Sequence, residues 1–247
     1  MTAKDIYESV CMIYSQGYED GGCGTGFFVM LNANPYLVTN KHVLLGEEHK
    51  RTKLTLFHNV QENNQSIASV TTLQIQENAI IAHDKYDLAL YPVEKIINCT
   101  HLNNREFNNY IINSNDIETK YDEFDYIEPV IIAGFPCQFR NKKTNRPLLS
   151  HGITTTPLFV NLDEKEEFLI DIPTYKCHSG SPIFVISSNS YKLIGIVRGS
   201  LRGDYSAYNI NIENNYQIQA VNGISEIGFS VAIKSSILTE LSKSNMI

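Results

Sequence analysis

The segment His178–Phe184, HSGSPIF, sets Ser179 between a histidine and a glycine, just ahead of an apolar run. A serine hydroxyl is a weak nucleophile at neutral pH. It attacks a carbonyl carbon when a neighbouring imidazole takes its proton. That imidazole in turn needs a carboxylate on its other nitrogen to fix tautomer and orientation. Two upstream segments carry these groups: VTNKHVL contains His42, and YDLAL contains Asp87. An imidazole, with an ordinary pKa near ~6.5, can accept and then return a proton close to neutrality. Gly180 permits a tight turn with exposed backbone N–H groups, and such amides stabilise charge developing on an attacked oxygen. Taken singly, each residue has a structural reading: a strand-edge histidine, a turn cap and a turn hydroxyl. Taken together, three strand ends carrying base, acid and hydroxyl point to acyl transfer.

The elements that must bring these residues together read mostly as strands. Ile6, Val10 and Ile13 or Tyr14 form one helical stripe, which predicts a short N-terminal helix over residues 3–15. The pattern then changes period. GFFVML and PYLVTN read as strands joined by a turn at Asn32–Pro35, and RTKLTLFHNV, VTTLQIQ and YDLALYPV follow. In VTTLQIQ, Val70, Leu73 and Ile75 are expected on one face. Residues 98–127 are polar and rich in Asn and acids, as a linker between lobes would be. A second strand-rich block comprises VIIAGFP, LLSHGITTTPLFV, EEFLIDI, SPIFVI, YKLIGIVRGS and EIGFSVAI. Arg202–Asn222 is expected to be a long loop that covers a pocket or contacts a partner protein. KSSILTELSKS closes the chain as an amphipathic helix, with Ile237 and Leu241 one turn apart. Many short strands with Gly and Pro turns favour barrels or a sandwich over an α/β sheet.

A chain of 247 residues accommodates one large all-β domain or two small lobes. The net charge of −7 argues against a nonspecific nucleic-acid surface. The basic run FRNKKTNR, residues 139–146, reads as a solvated hairpin tip. Five cysteines, at 11, 23, 99, 137 and 177, form no metal-type pair, so free thiols in a reducing compartment are expected. The charged segment MTAKDIYESV is no secretory leader, and no run is long and apolar enough for a membrane span. These readings imply a cytoplasmic protein with no membrane contact and no cofactor. The histidines form no convincing metal set.

Four segments resemble the chymotrypsin-like serine peptidases, above all the bacterial, short-looped branch with glutamyl endopeptidases and high-temperature-requirement proteases. GTGFFV (residues 24–29) resembles the strand opening the first barrel, VTNKHV the general-base block, YDLALY the aspartate block and HSGSPIF the nucleophile block. The resemblance spans roughly residues 22–240. It implies an all-β fold of two six-stranded antiparallel β-barrels with N- and C-terminal helices. Residues 1–100 would form the first lobe, 101–127 the linker and 128–247 the second lobe. It implies peptide-bond hydrolysis by His42, Asp87 and Ser179, with backbone N–H groups of Cys177 and Ser179 binding the oxyanion. Residues 173–176 would line one wall of the specificity pocket, with Pro173 near its base and Thr174 beside it, and Val197, Arg198, Gly199 and Ser200 the other. With no acid at the pocket base, a Lys or Arg preference has no basis. Thr174 falls where glutamyl endopeptidases carry a hydroxyl, while Val197 replaces their wall histidine. Arg198 can receive an acidic side chain or turn to a nearby carboxylate. An apolar or small residue is an equal contender at the cleavage position.

The family usually has Gly where this chain has Cys177, and Asp or Asn where it has His178. A side chain at residue 177 can disfavour the peptide orientation that points its N–H inward. Either the enzyme folds active, or a partner or substrate orders its oxyanion loop. His178 is expected to support the site from behind or to face solvent. Two alternatives stand beside the serine peptidase: Cys177 as a thiol nucleophile, and a catalytically inactive module that binds a protein partner on the same fold. The partners implied are a protein or peptide substrate and an activating or effector protein.

Overall fold

Thr2 caps the first helix: its hydroxyl accepts from Asp5 N at 3.4 Å, and Asp5 Oδ2 accepts from Thr2 N at 2.7 Å. In the computed structural model this helix, α1 (Ala3–Ser9), ends where β-branched Val10 turns extended. The model describes residues 1–17, 21–46, 50–62, 65–99, 110–187, 190–211 and 217–244. The rest of the expected helix is instead strand β1 (Val10–Gly17). The reason lies in burial on both faces. Val10 and Met12 enter one core, Cys11 and Ile13 another, so the strand is a continuous apolar run that periodicity confuses with a helix.

The first sheet contains β1, β2 (Gly21–Leu31), β3 (Asn34–Thr39), β4 (Arg51–Glu62), β5 (Gln65–Gln74), β6 (Ile81–Ala82) and β7 (Ala89–Pro92). Its order is β5-β4-β1-β2-β3-β7-β6, antiparallel throughout, with seven strands where six were expected. Asn32 and Ala33, at φ 50° and 63°, make the turn between β2 and β3, whose twist suits a two-residue hairpin. Leu73 is buried, but Val70 is 56% exposed. Three residues apart, the two fall on opposite faces of a strand, so the expected shared face was wrong.

The second sheet contains β8 (Pro129–Gly134), β9 (Leu148–Ile153), β10 (Glu167–Ile170), β11 (Pro182–Ser187), β12 (Ser190–Asn211) and β13 (Gln217–Lys234), in the order β10-β13-β12-β11-β8-β9. Its two edges approach each other at a single bridge, Thr154 to Ile170, flanked by Thr155 N to Leu169 O and Asp171 N to Ile153 O, both 2.9 Å. The sheet curls almost to a barrel without closing its ladder. The segment expected as a loop, 202–222, instead continues β12 and β13 as a paired ribbon from Arg202–Glu226 to Asn211–Gln217. Residues 212–216 of that segment, and 100–109 of the expected linker, lie outside the described residues.

Each sheet wraps its own core, Phe28, Leu37, Leu54 and Tyr91 in the first and Ile132, Phe168, Ile170 and Ile194 in the second. A third core joins them: Phe27, Val29 and Leu90 meet Phe135, Phe184 and Ile196. Complete burial of each phenylalanine contributes roughly 2–3 kcal/mol. Helix α4 (Ser236–Ser244) presses Ile237, Leu238 and Leu241 into this joint core, and Asn32 Nδ2 of the first sheet donates to Ser242 Oγ at 3.1 Å. The basic run 139–146 is likewise no free tip. Arg140 lies over the Phe57 ring at 4.3 Å, and Asn145 Nδ2 donates to Ser69 O (2.9 Å) and His58 O (3.1 Å). Among the described residues no helix is long and apolar enough to cross a membrane.

Candidate active site

His42 belongs to a one-turn helix, α2 (Lys41–Leu45), that begins as β3 ends. Asp87 immediately precedes Leu88 and β7, which pairs with β3. Strand pairing therefore brings the two residues together across 45 positions. His42 Nδ1 donates to Asp87 Oδ2 at 2.6 Å, and His42 N donates to Asp87 Oδ1 at 3.1 Å. The carboxylate thus grips both ring and backbone. Burial pushes the Asp87 pKa up, but the hydrogen bonds and charge of His42, with the charge of Lys41, outweigh it and hold the group below its ordinary value. Two further residues fix this geometry. Asn40 Nδ2 donates to Asp87 O at 2.6 Å. His83 Nδ1 accepts from Lys85 N (3.1 Å) and Tyr86 N (3.3 Å), and so shapes the turn leading to Asp87. Asn40 was visible as a polar residue closing a strand; nothing in the sequence marked His83.

Ser179 lies on the turn before β11. Gly180 has φ +85° and packs against Thr25 and Thr39 so closely that no side chain fits. Its N–H donates to Val197 O at 3.0 Å, and Val197 N donates to Ser181 O at 2.9 Å. From the other side β2 supplies two anchors. Thr25 N donates to Ser179 O at 2.8 Å, and Thr25 Oγ1 donates to Cys177 O at 2.8 Å. At Gly24 a Cβ would collide with Val43 and approach Ser179 O to 3.1 Å, so strand and turn meet without room for a side chain. His178 is buried rather than solvent-facing. Its Nδ1 accepts from Tyr175 N at 3.0 Å, and burial lowers its pKa to about 4. With Nδ1 occupied by Tyr175 N and its basicity this low, the ring is poorly suited to take the Ser179 proton.

Cys177 is joined to Cys23 of β2 by a disulfide. This overturns the expectation of five free thiols, and with it the cysteine argument for a reducing compartment. It also removes Cys177 as a thiol nucleophile, because the bonded sulfur forms no thiolate. No spacing signal marks this pair, 154 residues apart. Cys11 is free and buried, its thiol pushed up by desolvation, and Cys137 is free and exposed. The side chain of Cys99 lies outside those described. Cys177 itself has φ +75°, the left-handed region that suits the usual glycine. Lys176 O accepts from Cys137 N at 2.7 Å, and no peptide bond among the described residues is cis. In a trans peptide N–H and C=O point oppositely, so the Cys177 N–H is directed away from Cys137.

His42, Asp87 and Ser179 line one cleft of about 820 Å³ together with Thr174, Arg198, Gly199 and Ser200. Val197 is not in its wall; it is fully buried in the second core. Pro173 is exposed and outside the lining as well. Tyr175 and Lys176 of the expected 173–176 wall do line the cleft, and Leu201 and Val231 line it without having been anticipated. Thr174 Oγ1 sits 3.1 Å from Ser200 Oγ and 2.9 Å from Ser230 Oγ. Ser200 donates to Thr174 O (2.9 Å), and Ser230 reaches Ile172 O (2.6 Å). With those protons directed at carbonyls, the Thr174 proton is the one left to bridge to Ser200 Oγ or Ser230 Oγ, so the hydroxyl is held within this network. Arg198 Nη1 lies 3.3 Å from Glu167 Oε1 of β10, so the cation already has a carboxylate. Among the described residues no cluster of His, Cys, Asp and Glu could hold a metal ion.

Residues 24–196 match the trypsin-like peptidase domain. No curated protein sequence matches the chain. Among solved structures the fold is similar to a thermostable serine protease from an extremophilic microorganism (TM-score 0.53, 9% identity, 97% of this chain and 98% of that one). It is similar also to the protease Anisep from Arthrobacter nicotinovorans (0.54, 11%, 96% and 95%). A third similar structure is a serine endoprotease from Yersinia pestis (0.55, 14%, 99% and 66%). Two antiparallel sheets around separate cores, with a cleft between turns of both, are the chymotrypsin-like arrangement that these likenesses share.

Proposed function

Because this chain belongs to the trypsin-like peptidase family, a family of serine endopeptidases, we propose that it cleaves a protein or peptide substrate by acyl transfer through His42, Asp87 and Ser179. The observation that carries the reading is the 2.6 Å contact of His42 Nδ1 with Asp87 Oδ2, at a cleft that Ser179 also lines. Asp87 holds the Nδ1–H tautomer, which leaves Nε2 to take the Ser179 proton as Oγ attacks the scissile carbonyl. The backbone N–H groups of Cys177 and Ser179 receive the oxyanion. His42 then gives its proton to the leaving amine, and water repeats the sequence on the acyl-enzyme. One oxyanion donor is worth ~3–4 kcal/mol in such sites.

The pocket supplies no free carboxylate: the one in the described lining, Asp87, is taken by His42. A Lys or Arg side chain therefore finds no partner there. Arg198, paired with Glu167, is a weaker receptor for an acid than its position in the sequence suggested.

A fluorophosphonate probe tests the mechanism. Labelling is expected for the wild-type chain, absent in Ser179→Ala and collapsed in His42→Ala. An unlabelled wild-type chain would leave the protease-like binding module as the better reading. Cleavage of a peptide library should give products ending in residues other than Lys or Arg, and a strong Lys or Arg preference would overturn the pocket assignment.

A further inference from the structure

We propose that the Cys23–Cys177 disulfide is the positioning device for the oxyanion hole, so that hydrolysis depends on the redox state of this pair. The inference rests on the acyl-transfer reading above. A β-carbon at φ +75° is disfavoured, and the usual solution, glycine, is absent. Here the side chain that makes the conformation unfavourable is itself tied down. Cys23 lies in β2, hydrogen-bonded to β1 on one side, with the same strand gripping Cys177 O and Ser179 O through Thr25. The bond therefore runs from a fixed strand of the first sheet to the residue whose N–H faces the developing charge. When the bond opens, Cys177 is free to return to negative φ. That rotation turns the Lys176–Cys177 peptide and withdraws the N–H.

Cys23 is half-buried and Cys177 is buried, so a small thiol reaches the bond from the Cys23 side. Dithiothreitol opens it by two exchanges. Its first thiolate attacks one sulfur and displaces the other as a thiolate, which takes a proton. Its second thiol then closes the cyclic disulfide and releases the remaining cysteine. Glutathione disulfide reverses the change by two exchanges: it takes two electrons from the cysteine pair, its S–S bond breaks as the protein bond forms, and it leaves as two glutathione thiols.

The experiment uses the full chain with a fluorophosphonate and an activated p-nitrophenyl ester. Reduction, verified by a mass gain of two hydrogens, is expected to lower kcat ~10²-fold with little change in KM, the cost of one oxyanion donor. Glutathione disulfide is expected to restore it. Cys23→Ser/Cys177→Ser should be slow with or without reductant. Cys23→Ser/Cys177→Gly lacks the bond but accepts positive φ freely; it should recover most of the turnover and ignore reductant. A purely structural crosslink would not produce that rescue, since both double variants lose it. Unchanged kcat in fully reduced protein that keeps its circular dichroism overturns the inference, as does a glycine variant no faster than the serine one. If the oxidised wild-type chain shows no Ser179-dependent labelling, the hydrolase reading itself fails, and the inference with it.

Discussion

Asp87 is held between opposed influences. Burial favours its neutral form, and His42 with Lys41 favours the carboxylate, which prevails. Asp87→Asn preserves the size but presents the wrong hydrogen-bonding face to His42 Nδ1. We expect kcat to fall by ~10⁴-fold with the fold intact, measured by labelling rate and ester turnover. His178 has the opposite task, because its ring must stay neutral to accept from Tyr175 N. Its folded pKa, about 4, lies below the ordinary 6.5. The unfolded chain therefore binds the extra proton between those values, and stability is full above 6.5 and lost as pH falls towards 4. The loss is on the order of 3 kcal/mol. Asp87, with its pKa lowered from 3.8, adds a second loss only below that value. Urea unfolding at pH 7 and pH 4.5 should show the first step. His178→Asn, which keeps an acceptor and does not titrate, should flatten it; an equally steep decline in that variant would rule this assignment out.

At the scale of elements, β2 organises the site. Thr25 hydrogen-bonds Ser179 O, Cys177 O and Phe135 N, the last at 3.3 Å, all within one buried joint. Thr25→Val matches the shape but leaves Cys177 O and Phe135 N unpaired. We expect a loss of about 2–4 kcal/mol in urea unfolding, and a much smaller one for Thr25→Ser. Equal losses would mean that packing, not the hydroxyl, matters. The strands themselves were largely legible as short apolar runs bounded by Gly, Pro or Asn, even where, as in β2 and β11, consecutive residues are buried. Two segments were misread for different reasons. Residues 10–13 are buried on both faces and follow a helix, so their unbroken apolar run read as more helix. Segments 202–211 and 217–222 are rich in Asn and Tyr and read as loop, although Tyr208 and Ile210, paired with Ala220 and Ile218, alternate with polar residues as a strand does.

At the scale of the molecule, the links between the two sheets include the shared core of Phe27, Phe135 and Phe184, α4 against the Asn32 turn, the hydrogen bonds of Thr25 and Asn145, and the Cys23–Cys177 bond. The bond closes a loop of 154 residues. Chain-entropy reasoning assigns such a loop roughly 4–5 kcal/mol, so reduction should lower the urea midpoint and Tm as well as activity. If Cys23→Ser/Cys177→Ser unfolds at the wild-type midpoint, the two sheets are held by packing and hydrogen bonds alone. The order His42, Asp87, Ser179 was readable because each lies at a strand end with its own local motif. The support from Asn40, His83 and Thr25 was not, since those contacts depend on which strands become neighbours.

Residue types alone determined a β-rich chain carrying an imidazole, a carboxylate and a hydroxyl in an ordered series of local motifs, because side-chain chemistry and two-residue periodicity are local properties. Tertiary structure decided the rest. It paired Cys23 with Cys177, sent Val197 and Pro173 away from the cleft, gave Arg198 a carboxylate and buried His178. Each of these outcomes is a contact between distant segments, and only packing selects which distant segments meet.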